Sequence, residues 1–293
     1  MATHQGGGRM TIADFGTTAT GLLMYKITLH NADLTVTLLT LGAIVHSVHL
    51  PGILHNLTIG SDHLPDYEGD LRHNGPLIAP VANRRNNAAA PIAGQLHTFE
   101  ANQNGQHPLH SGNAGTHLHV WTLAEATETE ATLHLTLPNG AGGCPRTRPI
   151  IATHALHGST LRLYVTASTD KPTLFNPANH RCWNLDGTPD WSGHTLHIPA
   201  DRHLPTTDAF TPTGEIRDSQ GNPCDFRTPC TITPDAPPLD TCFCLAPNRR
   251  PLTEALTLTG KTGVTLTVAT TEPGIQVCDD RPGCHGLAIE RQG

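Results

Sequence analysis

Proline and glycine recur so densely along this chain, 24 and 28 times in 293 residues, that turns must be frequent and the segments between them short. That favours strands over helices. The intervening stretches carry the strand period. Tyr25, Ile27 and Leu29 alternate with polar residues, and Leu34, Val36 and Leu38 repeat the pattern after Asn31-Ala32-Asp33, which reads as a β-hairpin. Leu41-Gly42-Ala43-Ile44-Val45 opens a strand whose glycine permits a bulge or a close backbone approach. Between residues 60 and 80 punctuation leaves room only for a helical turn or two. Leu133, Leu135 and Leu137, two runs within 151–168, Leu196 with Ile198, Thr241 to Leu245, and Val264, Leu266 and Val268 give further strands. The stretch 201–212 reads as irregular, and Asp225-Phe226-Arg227 as a local ion pair. The chain is all-β with few short helical turns. Residues 1–19 form a loose Gly- and Thr-rich tail, and 20–293 a single domain without linker or repeat.

Charge and cysteine usage narrow the partners. The net charge is -7 with histidines neutral, and no lysine or arginine cluster marks a nucleic-acid footprint. The N-terminus lacks a charged region leading into an apolar core, and no apolar run of about 18 residues occurs, so a soluble cytoplasmic protein without a membrane partner is expected. None of the eight cysteines stands in a Cys-x-x-Cys spacing, and a chain this size needs no disulfide staples; free, mostly buried thiols are expected. Among the 20 histidines, His117 and His119 alternate with Leu118 and Val120 as on the solvent face of a strand. A metal held by these imidazoles is the alternative, and no metal is expected.

The stretch that invites chemistry is Asn176-Pro177-Ala178-Asn179-His180-Arg181-Cys182-Trp183-Asn184-Leu185. It sets a histidine among amide side chains just after a strand, where its ring can be held in one orientation and exchange a proton near neutral pH. Glu290 stands in the apolar run Gly286-Leu287-Ala288-Ile289 near the other end of the chain and offers a carboxylate partner. By residue type alone, Arg84 and Arg85 read as exposed guanidiniums and Asp240 as a solvated loop carboxylate after the proline-rich loop 234–238. Gln276 supplies a neutral donor and acceptor.

These residues carry a resemblance to the aldose 1-epimerase (galactose mutarotase) family. Residues 176–185 resemble its N-x-T-N-H-x-Y-F-N-L pattern, and 287–292 its L-x-x-E-x-Q. Between and before them, in the family's order, stand Leu41-Gly42-Ala43, Ala82-Asn83-Arg84, Leu109-His110-Ser111-Gly112, Pro212-Thr213-Gly214-Glu215, Asp240 with Phe243, and Pro273-Gly274-Ile275-Gln276. The resemblance implies a large antiparallel β-sandwich of the galactose mutarotase-like supersandwich type. It implies interconversion of the anomers of a free hexose, with His180 as acid and Glu290 as base, and no cofactor. Asn83, Arg84, His110, Asp240 and Gln276 would bind a monosaccharide, in a monomer or homodimer.

Arg181, Cys182 and Trp183 depart from the family's small residue, tyrosine and phenylalanine. They place a charge at Arg181 and remove a hydroxyl at Cys182, both on the expected substrate side. Rival expectations are a sugar-binding module without catalysis and a hexose-6-phosphate 1-epimerase using Arg181 or Arg85 for phosphate. Family members continue into further strands after this glutamate, whereas here three residues follow it, so the expectation is an ordered strand through about Ile289 with Glu290 less rigid than His180.

Overall fold

The computed structural model describes residues 10–233, 236–279 and 285–293. The first nine residues of the expected tail, Pro234 in the proline-rich loop, and Cys284 lie outside them. Strands hold 44% of the chain and the only α-helix among the described residues is Leu64–Glu68, so the all-β expectation stands.

The rest of the tail is corrected. Thr11–Thr17 is an edge strand, paired antiparallel with Leu23–His30. Its side chains are mostly exposed, so it lacks the apolar alternation that marks a half-buried strand, and the backbone ladder is what orders it. Arg202–Leu204 likewise forms a short strand inside the stretch read as irregular.

Two antiparallel meanders make one part of the fold. Thr11–Thr17, Leu23–His30, Thr35–Leu39 and Ile44–His49 form one sheet in chain order; Thr122–Ala126, Glu130–Leu137, Arg148–His157 and Thr160–Ala167 form the other. A third sheet of four runs Cys230–Thr231, Thr195–His197, Thr253–Thr259, Thr265–Thr270. The largest sheet has six strands in the order Arg181–Trp183, Leu287–Gln292, Gly274–Cys278, Asp240–Cys244, Arg202–Leu204, Arg217–Asp218. One core cluster draws on all four, through residues such as Ile27, Val45, Leu133, Ile150, Leu196, Leu258, Val277 and Ile289.

The six-stranded sheet positions the site by its parity. Phe243, Ile275, Val277, Leu287 and Ile289 point into the core, so the alternate residues Asp240, Cys242, Gln276, Cys278, Ala288 and Glu290 share the other face. Burying one large aliphatic side chain contributes about 1.5–3 kcal/mol, so the row of five pins the register; a one-residue slip would send Glu290 into the core and Ile289 out.

The strand ending in Gln292 pairs with Arg181–Trp183 as far as Ile289 and with Gly274–Cys278 through Gln292, and so runs past Ile289. Asn176 ties its end: its Nδ2 donates to Gln292 Oε1 at 2.9 Å, and its Oδ1 accepts from the Gly293 amide at 2.8 Å.

Candidate active site

His180 sits between Ala178–Asn179 and Arg181–Trp183. Its amide donates to Pro76 O at 2.9 Å and its carbonyl accepts from Gly75 at 2.7 Å, which clamps the residue against loop 73–76. Gly42 lets that loop pass close by, as its sequence context suggested: φ is +61°, and a Cβ there would lie 2.8 Å from Pro76 Cβ. The ring points at the last strand, with Nε2 3.4 Å from Glu290 Oε1 and the two side chains 12% and 4% exposed. Burial raises the Glu290 carboxyl above its usual range, against the opposing pull of His180. A buried carboxylate with a raised pKa and an imidazole within reach can serve as proton acceptor and donor to a group placed between them.

Beside this pair lies a polar row. Asp240 Oδ2 takes Arg84 Nη1 at 3.2 Å, and its Oδ1 accepts from Gln276 Nε2. Arg84 Nε donates to Gln103 Oε1 at 2.8 Å. Burial raises the Asp240 carboxyl while Arg84 and Gln276 oppose the shift. Asp240 is therefore no solvated loop carboxylate; it begins the strand Asp240–Cys244 and faces the site.

Asn83 holds the approach, with a left-handed φ of +62°; its Oδ1 accepts from the Arg84 amide at 2.8 Å. Its own amide donates to His110 Nδ1 at 3.2 Å, which leaves the His110 proton on Nε2. Burial, then the nearby His180, hold His110 well below the ordinary histidine value, so it is a neutral donor. Its ring stands edge-on to His180, centroids 5.1 Å apart.

One expected site residue lies elsewhere. Arg181 pairs with Ile289 and so stands on the core side of the sheet, where its guanidinium donates to the carbonyls of Val45 and Ile59. A charge expected against substrate is instead buried behind the strand, because adjacent strand residues point to opposite faces. Cys182 does share the face of Glu290, through its register with Ala288, and is buried. Arg85 is corrected as well: its guanidinium lies 3.7 Å from the centroid of the Phe99 ring, and burial lowers its pKa.

His73, His117, Gln103 and Phe210 belong to the neighbourhood but were missed. His73 lies 4.9 Å from His110, 5.0 Å from His117 and 6.2 Å from His180, ring to ring. Burial, with neighbouring positive charges, brings both His73 and His117 down to about 3, so neither adds charge beside His180. His117 occupies a 3-10 turn packed on Gly115, not the solvent face of a strand. The glycine two residues before it was the available signal: a Cβ at Gly115 would lie 2.3 Å from the His117 ring. Burial, aided by Cys244 and Glu290, pushes the Cys242 thiol up to about 12, so a neutral thiol borders the carboxylate. No group of three or more metal-binding side chains occurs among the described residues.

Residues 25–289 match a family model described as Aldose 1-epimerase. The chain is 27% identical over 264 residues to the galactose mutarotase of Bos taurus, covering 86% of this chain and 76% of that one. It is 28% identical over 205 residues to the aldose 1-epimerase of Escherichia coli K12, covering 68% and 59%. Among solved structures, an aldose epimerase homologue from C. elegans superposes with a TM-score of 0.83 at 26% identity, over 91% of this chain and 89% of that one. The galactose 1-epimerase of Lactobacillus acidophilus superposes at 0.84 over 97% and 90%, at 24% identity.

Proposed function

Because the chain belongs to the aldose 1-epimerase family and is an isomerase, we propose that it interconverts the α and β anomers of a free hexose, galactose or glucose. The observation that carries this reading is the 3.4 Å approach of His180 Nε2 to Glu290 Oε1 on the polar face of the sheet, next to the Arg84–Asp240–Gln276 row. Glu290 takes the proton of the anomeric hydroxyl while protonated His180 gives one to the ring oxygen. The bond from C1 to the ring oxygen breaks and the open-chain aldehyde forms. Rotation about the C1–C2 bond followed by reclosure, with donor and acceptor exchanged, yields the other anomer. Each positioned acid or base contributes about 10²- to 10⁴-fold. Arg84, Asp240, Gln276 and the His110 Nε2–H hold hydroxyls along one edge of the sugar.

A non-catalytic binding module would need Glu290 to be mobile, and its register with Gln276 together with its burial speaks against that. A phosphate-binding role for Arg181 or Arg85 is opposed by their burial on carbonyls and on Phe99. Polarimetry of freshly dissolved α-galactose and α-glucose tests the reading; a rate no faster than buffer for both sugars would sink it. The rate should be the same in EDTA, since the reading uses only protein acids and bases. Loss of activity on chelation, restored by a divalent ion, would replace this mechanism with a metal-dependent one.

A further inference from the structure

Loop 205–216 joins Arg202–Leu204 to Arg217–Asp218 at the edge of the six-stranded sheet. It closes on itself: Thr207 and Thr211 share a 2.9 Å backbone hydrogen bond and a 2.8 Å contact between hydroxyls, and the Thr213 amide reaches Pro205 O at 3.0 Å. At its tip Phe210 takes a φ of +58° and remains 46% exposed. Both features oppose ordinary placement. A bulky residue is strained in the left-handed region, and a large ring in solvent forgoes its burial energy. Such strain persists where surrounding structure enforces it, and here the loop's own hydrogen bonds do so. The ring is not idle. Arg84 Cζ lies 5.3 Å from its centroid, and the same guanidinium holds Asp240.

We propose that Phe210 is a specificity-determining residue: an aromatic wall at the mouth of the site, on which the C–H face of a bound hexopyranose packs, favouring galactose over glucose. This role rests on the reading of the site as a sugar site. A pyranose is amphipathic, with hydroxyls around its edge and C–H groups on its faces. The Arg84–Asp240–Gln276 row serves the edge, and an apolar wall beside Arg84 serves a face. An axial 4-hydroxyl gathers the hydrogens on C3, C4 and C5 onto one face, whereas an equatorial one divides them between both. The negative face of an aromatic ring attracts the gathered patch more strongly.

The test separates kcat from KM for both sugars in the wild type, Phe210→Ala, Phe210→Gly and Phe210→Trp. Removing the ring should raise KM for galactose about five- to tenfold, leave kcat within about twofold, and change KM for glucose less than about twofold. Phe210→Trp should retain the preference. Phe210→Gly relieves the φ strain, so its melting temperature should equal or exceed that of the wild type while the KM effect remains. An unchanged galactose-to-glucose ratio in both truncations, or a lower melting temperature with KM unaltered, would overturn the role and leave Phe210 as a stacking partner of Arg84. Should the wild type turn over neither sugar, the proposed function fails by itself. The wall is then read from galactose binding by saturation-transfer NMR: weaker binding in Phe210→Ala supports it, and equal or absent binding in the wild type and variant refutes it.

Discussion

Glu290 concentrates the energetic conflict of this molecule in one side chain. Its carboxyl is buried, and burial raises its pKa despite His180 nearby. For the reaction this means that the base must ionise above the ordinary carboxylate range, so the acid limb of kcat/KM should lie above 4.5 and activity should rise with pH through it. For stability the sign is opposite. The folded-state value exceeds the unfolded one, so the native state binds the proton more tightly and stability declines as pH rises through the raised pKa. Glu290→Gln should therefore lose about 10²-fold or more in turnover yet melt higher than the wild type at pH 8, with the difference vanishing below pH 4. His180→Ala should lose turnover to a similar degree without that gain. Near wild-type turnover in either variant, measured by polarimetry, would refute the assigned roles.

Strands decide how firmly those groups are held. The Leu287–Gln292 strand was expected to fade after Ile289, but Gly274–Cys278 pairs with it through Gln292 and the Asn176 side chain ties its end. Asn176→Ala removes two hydrogen bonds, each contributing about 1 kcal/mol. Faster amide exchange over residues 288–292 should accompany a severalfold lower kcat with unchanged KM; exchange identical to the wild type would show that the flanking strands suffice. In the Arg148–His157 strand, His154 is fully buried, and neither ring nitrogen has a hydrogen-bond partner among the described residues. Burial lowers its pKa to about 4. Replacing it with an apolar residue of similar volume removes two unsatisfied polar atoms. His154→Leu should stabilise by about 1 kcal/mol at pH 8 and by more at pH 5, as read by urea melts; destabilisation at both pH values would mean that the imidazole is hydrogen-bonded in the native protein.

At the scale of the whole molecule, buried histidines set the acid limit. His46 and His154 are held to about 4, His73 and His117 to about 3, and His110 well below its ordinary value, chiefly by burial. A depressed folded-state pKa gives stability that is present above the unfolded value of 6.5 and is lost as pH falls through the interval between the two. Each such group withdraws on the order of 1 kcal/mol per pH unit. Glu290 and Asp240 act in the opposite sense, but they are two against five. Cooperative unfolding is therefore expected between pH 6 and 4, with uptake of several protons, followed by circular dichroism and potentiometric titration. Native signal persisting below pH 4 would mean that the imidazoles find water or carboxylate partners.

Local alternation and punctuation were enough to locate about half of the strands, to exclude long helices, and to single out His180 and Glu290, because period-2 patterning and residue chemistry are properties of neighbours along the chain. The edge strand Thr11–Thr17 escaped for the same reason: it buries too little to leave a pattern. Alternation says that Arg181 and Cys182 face opposite ways, but not which way is inward. Only pairing with Ile289 and Ala288, and burial of Ile289 in the core, sends Arg181 behind the sheet and Cys182 to the face of Glu290. The gathering of residues 73, 84, 110, 180, 240, 276 and 290 likewise depends on register between strands far apart in sequence and on close backbone approaches at Gly42 and Gly115. Those contacts are stabilised by shared burial, a property of the folded chain that no short window of sequence contains.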